Sequence, residues 1–313
     1  MPDLAQRQAL WVGLALALLV TGMSLGSPAF ATHDNFFHVT RNLAFIGLIA
    51  LGQTAVILTA GIDLSVGSVM GLAGVVTGLV LQAGASLWLG AGAGLATALA
   101  CGIANGTLVA YVRLPPFVVT LGMLAVARSL ALVVSNNRMV HDFGPDEPAF
   151  LALGGGETLG LANALWALLI LAGLFGFGFR STRFGRYLYA IGGNEEAARR
   201  TGVPVERVKA AAYVLSSACA GLAAILIVSW LGAVTNALGQ SYELRVIAAA
   251  VLGGANLMGG QGGATGSVVG AALIEVIRNS LLLAGVDPYW QGTFVGVFIV
   301  LALLLQRLRR RPA

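Results

Sequence analysis

Apolar residues fall in blocks of about 20 along nearly the whole chain, separated by short segments where Pro, Gly and charged residues collect. A block of that length lets an α-helix cross a hydrocarbon core of ~30 Å. The alternation with a period of two that marks an outer-membrane barrel is missing. Ten helical spans are predicted, at about residues 9 to 26, 41 to 60, 64 to 82, 87 to 110, 116 to 136, 163 to 179, 210 to 232, 243 to 258, 265 to 284 and 289 to 306. The expected fold is therefore all-α: a polytopic membrane helical bundle, with residues 1 to 313 as a single transmembrane domain.

Composition agrees with the pattern. Of 313 residues, 58% are hydrophobic and only 10% charged, against about 25% charged in a soluble domain. Cys101 and Cys219 both lie inside apolar runs, so no disulfide framework is expected. The net charge of +5 does not point to nucleic acid, because the placement of the basic residues matters more than their sum. If the amino terminus is cytoplasmic, the inside segments hold 13 of the 18 basic residues, among them Arg180, Arg183, Arg199, Arg200, Lys209 and the Arg307 to Arg311 cluster, and the outside holds Arg41 and Arg138. The positive-inside rule then places both termini in the cytoplasm. Reading the first span as a signal peptide, on Arg7 and the Ala29-Phe30-Ala31 pattern, would leave nine spans needing a periplasmic amino terminus.

Two blocks of similar length, 41 to 136 and 210 to 306, flank one span and a basic loop at 180 to 209. In the first, Asn105, Leu108, Ala110 and Val112 precede Pro115-Pro116; in the second, Asn279, Leu282, Ala284 and Val286 precede Pro288. The charge pattern puts these junctions on opposite sides, as an inverted repeat would. Gly90, Gly94, Ala98, Gly102 and Gly106 recur every four residues, a small-residue spine that lets helices approach closely and predicts a central fourth span.

Enzyme chemistry has little to stand on. The only lysine, Lys209, lies in no glycine loop, so no phosphate cradle of the Walker type can form. The three histidines sit in outside segments, without metal-ligand spacing. The Gly253 to Ser267 stretch fails the dinucleotide-binding spacing at Thr265. The basic loop, in contrast, encodes a short capped helix: Asn194 as N-cap, Glu195 and Glu196 at the positive end, Arg199 and Arg200 at the negative end, and Gly202 as the left-handed residue that ends it. Ala197 and Ala198 give it a small-residue surface suited to a groove in a cytoplasmic partner, where the plain alternative is a solvated connector.

GIDLSVGS at Gly61 to Ser68, RLPPFVVTLG at Arg113 to Gly122, GRYLYAIGGNEEAARRTGV at Gly185 to Val203, YEL at Tyr242 to Leu244 and YWQ at Tyr289 to Gln291 together resemble the permease subunits of ribose-type ABC sugar importers. The resemblance implies a permease without a cofactor of its own, served by a tandem cytoplasmic ATPase that binds ATP and Mg, a periplasmic sugar-binding protein and a second permease copy, by default a homodimer in the bacterial inner membrane. It implies that Asn194, Glu195, Glu196, Ala197, Ala198 and Gly202 dock on the ATPase. Arg245, where relatives usually have Asp, together with Gln261, Glu275 and Arg278, departs from the family pattern and leaves the solute open. For a sugar path the lining should be amides, hydroxyls and aromatic faces. Gln53, Asp63, Ser65, Asn105, Phe117, Thr120, Asn256 and Gln291 are the candidates, with capping of the Ser65 turn as the alternative role for Asp63. Glu275 and Arg278, three apart on one helix, can pair. A secondary transporter coupled to ions through Asp63, Glu275 or Arg128 is the competing function.

Overall fold

A computed structural model describes residues 2–287 together with residues 290, 292, 293, 296 and 297. The last expected span falls almost wholly outside the described residues, and Gln291 lies outside them. The elements are α1 (Pro2–Gly26), α2 (His33–Leu58), α3 (Val66–Gln82), α4 (Leu87–Ala110), α5 (Pro116–Val134), α6 (Glu147–Gly155), a two-residue antiparallel hairpin of β1 (Glu157–Thr158) and β2 (Leu161–Ala162), α7 (Asn163–Ser181), α8 (Arg183–Gly193), α9 (Glu195–Arg200), α10 (Val205–Leu231), α11 (Tyr242–Leu252) and α12 (Ala264–Leu283).

Among the described residues seven helices are long and apolar enough to cross a membrane: α1, α2, α4, α5, α7, α10 and α12. Two expected spans come out differently. The third is the 17-residue helix α3, and the eighth, expected over 243 to 258, is the 11-residue helix α11, which stops at Leu252. The reason is local. Gly253 and Gly254 follow, Gly254 takes φ +100°, and the chain leaves the helix in a glycine-rich loop that runs to Gly263.

The bundle is organised around α2. From Ala44 to Leu58 every residue is buried, and the helix packs against α7, α10, α11 and α12. The expectation of a central fourth span is thus corrected. α4 buries only its small-residue face, while Leu89, Ile103 and Leu108 on its other side are exposed. The spine itself is used along its whole length. A Cβ at Gly94 would meet the Thr77 hydroxyl and the Ala73 carbonyl of α3; one at Gly102 would meet Val214 Cα of α10 at 2.9 Å; one at Gly106 would meet Ala210 Cα at 2.9 Å. One face of α4 therefore seats first on α3 and then on α10 at backbone distance, the close approach that small residues permit in lipid.

The chain interrupts its helices at two comparable places. After α2, residues 59 to 65 run as irregular backbone before α3 starts; after α10, residues 232 to 241 do the same before α11. The second stretch folds back along α3, with Val234 against Gly74 and Gly78, Leu238 against Gly71 and Gly74, and Gly239 against Gly67. Its Val234 also pairs with Val140 through two backbone hydrogen bonds, at 2.8 and 3.0 Å.

Overpacking the spine should be felt at once. Gly102→Val and Gly106→Val push branched side chains into the α10 backbone and should each cost about 1–3 kcal/mol, lowering the apparent Tm of the detergent-solubilised protein by several degrees. Gly92→Val, at a position with open space around it, should leave Tm within a degree or two. Fluorescence-detected size-exclusion after heating reads all three.

Candidate docking helix and intramembrane polar centre

The short helix expected in the basic loop is present as α9. Asn194 adopts extended backbone and its Oδ1 accepts from Ala197 N at 2.9 Å, which satisfies one of the free amides of the first turn. At the other end Gly202 takes φ +85°, its N–H donates to Arg199 O at 3.1 Å, and Val203 N donates to Ala198 O at 3.1 Å. This paired closure is the Schellman motif, and Gly202 supplies the left-handed conformation it needs. Charges then tie α9 to its surroundings. Glu195 pairs with Arg199 at 3.4 Å and with Lys209 of α10 at 3.0 Å; Arg199 also pairs with Glu206, which reaches Arg113 in the α4–α5 turn at 3.5 Å; Arg200 pairs with Glu196.

The two alanines part company. Ala197 is exposed, whereas Ala198 is 4% exposed and belongs to the main apolar core. The expectation that both seat in a partner is corrected: helical geometry points neighbouring side chains about 100° apart, and Ala198 is the one turned inward. Beside α9 lies an open cleft of about 500 Å³ lined by Arg113, Pro115, Pro116, Glu195, Arg199 and Lys209 among others. α8 supports this end of the molecule. Burial pushes the Tyr189 phenol above its usual range, and the neutral hydroxyl donates to Gly262 O at 2.9 Å.

Deeper in the bundle, five of the residues selected as pathway candidates converge on the first helix interruption. Asp63 Oδ1 accepts from Ser65 N at 2.9 Å and from Ser65 Oγ at 2.6 Å, and its Oδ2 accepts from Ser216 Oγ of α10 at 2.9 Å. Asn105 Nδ2 donates to Ser65 Oγ at 2.9 Å, and Thr120 Oγ1 to Ile62 O at 3.3 Å. Gln53, with its amide oriented to suit its neighbours, bonds both Asp63 N and Asp63 O at 3.1 Å. All five side chains, Gln53, Asp63, Ser65, Asn105 and Thr120, are fully buried. The geometry is that of a capped turn: it satisfies irregular backbone far from water, the requirement any break in a membrane helix must meet. Phe117 stands apart, exposed on α5. Asn256 is half-buried in the glycine-rich loop, where its backbone N–H donates to Gln261 O at 2.9 Å and its side chain bonds Met258 N and Gly259 O.

The second interruption has a counterpart that sequence reasoning treated only as a possible ion-coupling residue. Arg128, on the middle of α5, donates to Leu238 O at 2.7 Å and to Asn236 O at 3.1 Å. Asn236 is held further by Ser135 and Asn137 at the end of α5. A half-buried guanidinium thus anchors backbone carbonyls that no helix satisfies. The signal was available: an arginine in an apolar span needs interior partners.

The glutamate of α12 is paired as expected. Both oxygens of Glu275, itself 1% exposed, accept from Arg278, one of them from Nε at 2.8 Å.

The family described as branched-chain amino acid transport system / permease component matches residues 35–303. The chain belongs to this family. It is a transport subunit and not an enzyme, and a multi-pass membrane protein. It is 38% identical over 97% of its length to a probable ABC transporter permease of Sinorhizobium fredii, covering 90% of that protein. It is 36% identical over 93% of its length to the ribose import permease of Escherichia coli K12, covering 91% of it. With the fructose import permease of Rhizobium meliloti the identity is 34% over 96% of this chain and 85% of the relative.

The turn at Asp63 should be sensitive to the number of acceptors left. Asp63→Ala strands three donors in a buried site, at about 1–3 kcal/mol for each group left unsatisfied, and should remove most folded protein from the membrane. Asp63→Asn keeps one carbonyl acceptor and should fold at reduced yield. Quantitative size-exclusion of the two variants at equal expression checks the order.

Proposed function

We propose that this permease forms the transmembrane pathway of an ATP-driven importer for a monosaccharide or similar small polyol-like solute. The names of the ribose and fructose import relatives support the solute class. The observation that carries the energy source is α9: a doubly capped helix, tied by ion pairs to α10 and through Glu206 to the α4–α5 turn, with Ala197 exposed and Glu195, Glu196 and Arg199 lining an open cleft, in a chain that has no nucleotide motif of its own. ATP and Mg would be bound by a partner ATPase, on which Asn194, Glu195, Glu196, Ala197 and Gly202 would dock and Ala198 would hold the helix in place from beneath. A periplasmic binding protein would deliver the solute at the opposite end.

A single chain offers one such helix, whereas a tandem ATPase offers two grooves, so two permease copies are proposed, a homodimer by default. The basic α8–α9 end would face the cytoplasm of a bacterium, with both termini on that side of the inner membrane. The inverted repeat, blocks 41 to 136 and 210 to 306, draws support from element order: α2, interruption, short α3 and α4 parallel α10, interruption, short α11 and α12, and the pairs α2–α12, α2–α11 and α3–α4 correspond to α10–α4, α10–α3 and α11–α12. Ion coupling finds less support, since Asp63 and Glu275 both have their oxygens filled by fixed donors.

Transport in proteoliposomes holding the full importer should require ATP and the binding protein and should survive collapse of proton and sodium gradients; gradient-driven uptake by the isolated chain would refute the reading. Ala197→Arg should leave the protein folded in the membrane yet reduce co-purification with the ATPase and abolish uptake. Ala198→Arg, in contrast, should act through the fold and lower the yield of membrane protein. Normal ATPase association and full uptake by Ala197→Arg would remove α9 from the docking site. Native mass spectrometry should find two permease chains per tandem ATPase.

A further inference from the structure

Beside the exposed apolar face of α5, with Phe117, Val118, Leu121 and Val133 outward, the 232 to 241 stretch and the start of α11 place polar and charged groups. Irregular backbone at membrane depth is tolerated where protein buries it or where it lines a water-filled cavity. The 232 to 241 stretch ends in Gln240 and Ser241, both exposed, the latter at φ +62°. α11 begins there and runs antiparallel to α12: Gly253 packs on Gly266 and Ala249 on Gly270. One more helical step of the same register brings Arg245 level with Ile274, halfway along α12.

Arg245 is the uncompensated charge of this level. Its guanidinium lies 5.7 Å from the centre of the Tyr242 ring and within electrostatic reach of Glu275. Both oxygens of Glu275 are taken by Arg278. Arg128 is occupied by the Asn236 and Leu238 carbonyls. Among the described residues Arg245 has no hydrogen bond or ion pair, and it is only partly buried. Three guanidiniums, Arg128, Arg245 and Arg278, stand against two carboxylates, Glu243 near Arg128 and Glu275, and leave a net single positive charge halfway along α12, about one turn from the exposed Gln240 and Ser241, in a setting where unpaired charge is costly and marks solute or ion pathways.

We propose that Arg245, with Gln240 and Ser241 beside it, is a contact site for the carboxylate of an acidic sugar, so that the transported solute is a monoanionic sugar acid. The inference rests on the reading of the chain as a sugar-importer permease. A carboxylate matches a guanidinium through two parallel N–H···O bonds and cancels one charge, the excess present. A phosphate ester brings a charge of about −1.5 to −2 and would need a second free cation, while Arg278 is committed to Glu275. A neutral sugar leaves Arg245 uncompensated.

The test uses the complete importer, with its own ATPase and binding protein, in proteoliposomes supplied with ribose, ribonate, galactose or galacturonate. Wild type should accumulate at least one of the acids about tenfold faster than its neutral counterpart. Arg245→Gln should cut acid uptake about tenfold at unchanged ATPase association, and Arg245→Lys should recover part of it. With the binding protein held constant, the change in the acid-to-neutral ratio between variants reports on the permease. Faster uptake of the neutral sugars by wild type, or an acid-to-neutral ratio unaltered by Arg245→Gln, overturns the inference while leaving the importer reading intact. Should Arg245→Gln fail to assemble, the wild-type ratio and Arg245→Lys decide. A structure of the assembled importer in which a carboxylate of the second copy pairs with Arg245 overturns it as well. ATP-driven uptake of a neutral sugar outside these four, such as fructose or arabinose, with neither acid taken up, overturns the inference as well; an intact complex that takes up no sugar with ATP counts against the importer reading itself.

Discussion

A backbone amide in hydrocarbon has no water to bond to, yet this chain breaks its helices twice inside the bundle. Much of its polar chemistry follows from that constraint. At residues 59 to 65 the break is filled by Asp63, Ser65, Gln53, Asn105, Thr120 and Ser216, drawn from α2, α4, α5 and α10 as well as from the turn itself. At 232 to 241 it is filled by one guanidinium and a few amides and hydroxyls from α5 and its end. Buried networks of this kind are costly when half satisfied and rigidifying when complete, and each ties together helices that dispersion forces alone would let slide.

Glycine performs the complementary task. Where the second break folds back along α3, Gly67 and Gly71 leave room for the returning backbone and Gly74 and Gly78 for its Leu238 and Val234 side chains; a Cβ at Gly67 would fall 2.2 Å from Gly239 O. Where α4 meets α10, the same economy of volume acts between two regular helices. Polar side chains satisfy the irregular backbone and glycines admit it, so the two signals come as a pair along the chain.

That pairing explains how much was legible. Hydropathy alone located the long helices, and the four-residue glycine period announced the α4 contact face, because both depend on local spacing. The caps of α9 were readable from Asn194 and Gly202 for the same reason. What escaped depended on neighbours distant in sequence. Nothing in the apolar run 243 to 258 distinguishes a spanning helix from an 11-residue one, apart from Gly253 and Gly254. The short helix α6 and the hairpin after it carry too weak a pattern. The inward turn of Ala198 and the central place of α2 are set by packing, and Arg128 looked like an ion-coupling residue until its partners in the returning segment were visible.

The arrangement at α9 also bears on how a pull on it would travel. Exposed ion pairs contribute little each, but those of Glu195, Arg199 and Glu206 bridge three elements, α9, α10 and the α4–α5 turn. With Ala198 packed into the main apolar core, α9 is held from beneath by apolar contact and tied to the first turns of α10 by charge. α10 in turn packs along α2, α3 and α4 and supplies Ser216 to the Asp63 turn. A displacement of α9 therefore either breaks these exposed pairs or moves the start of α10, and with α10 the Ser216 that bonds Asp63. Rigid continuity of this sort is what a two-state element needs if an event at one face of the bundle is to alter a polar break within it.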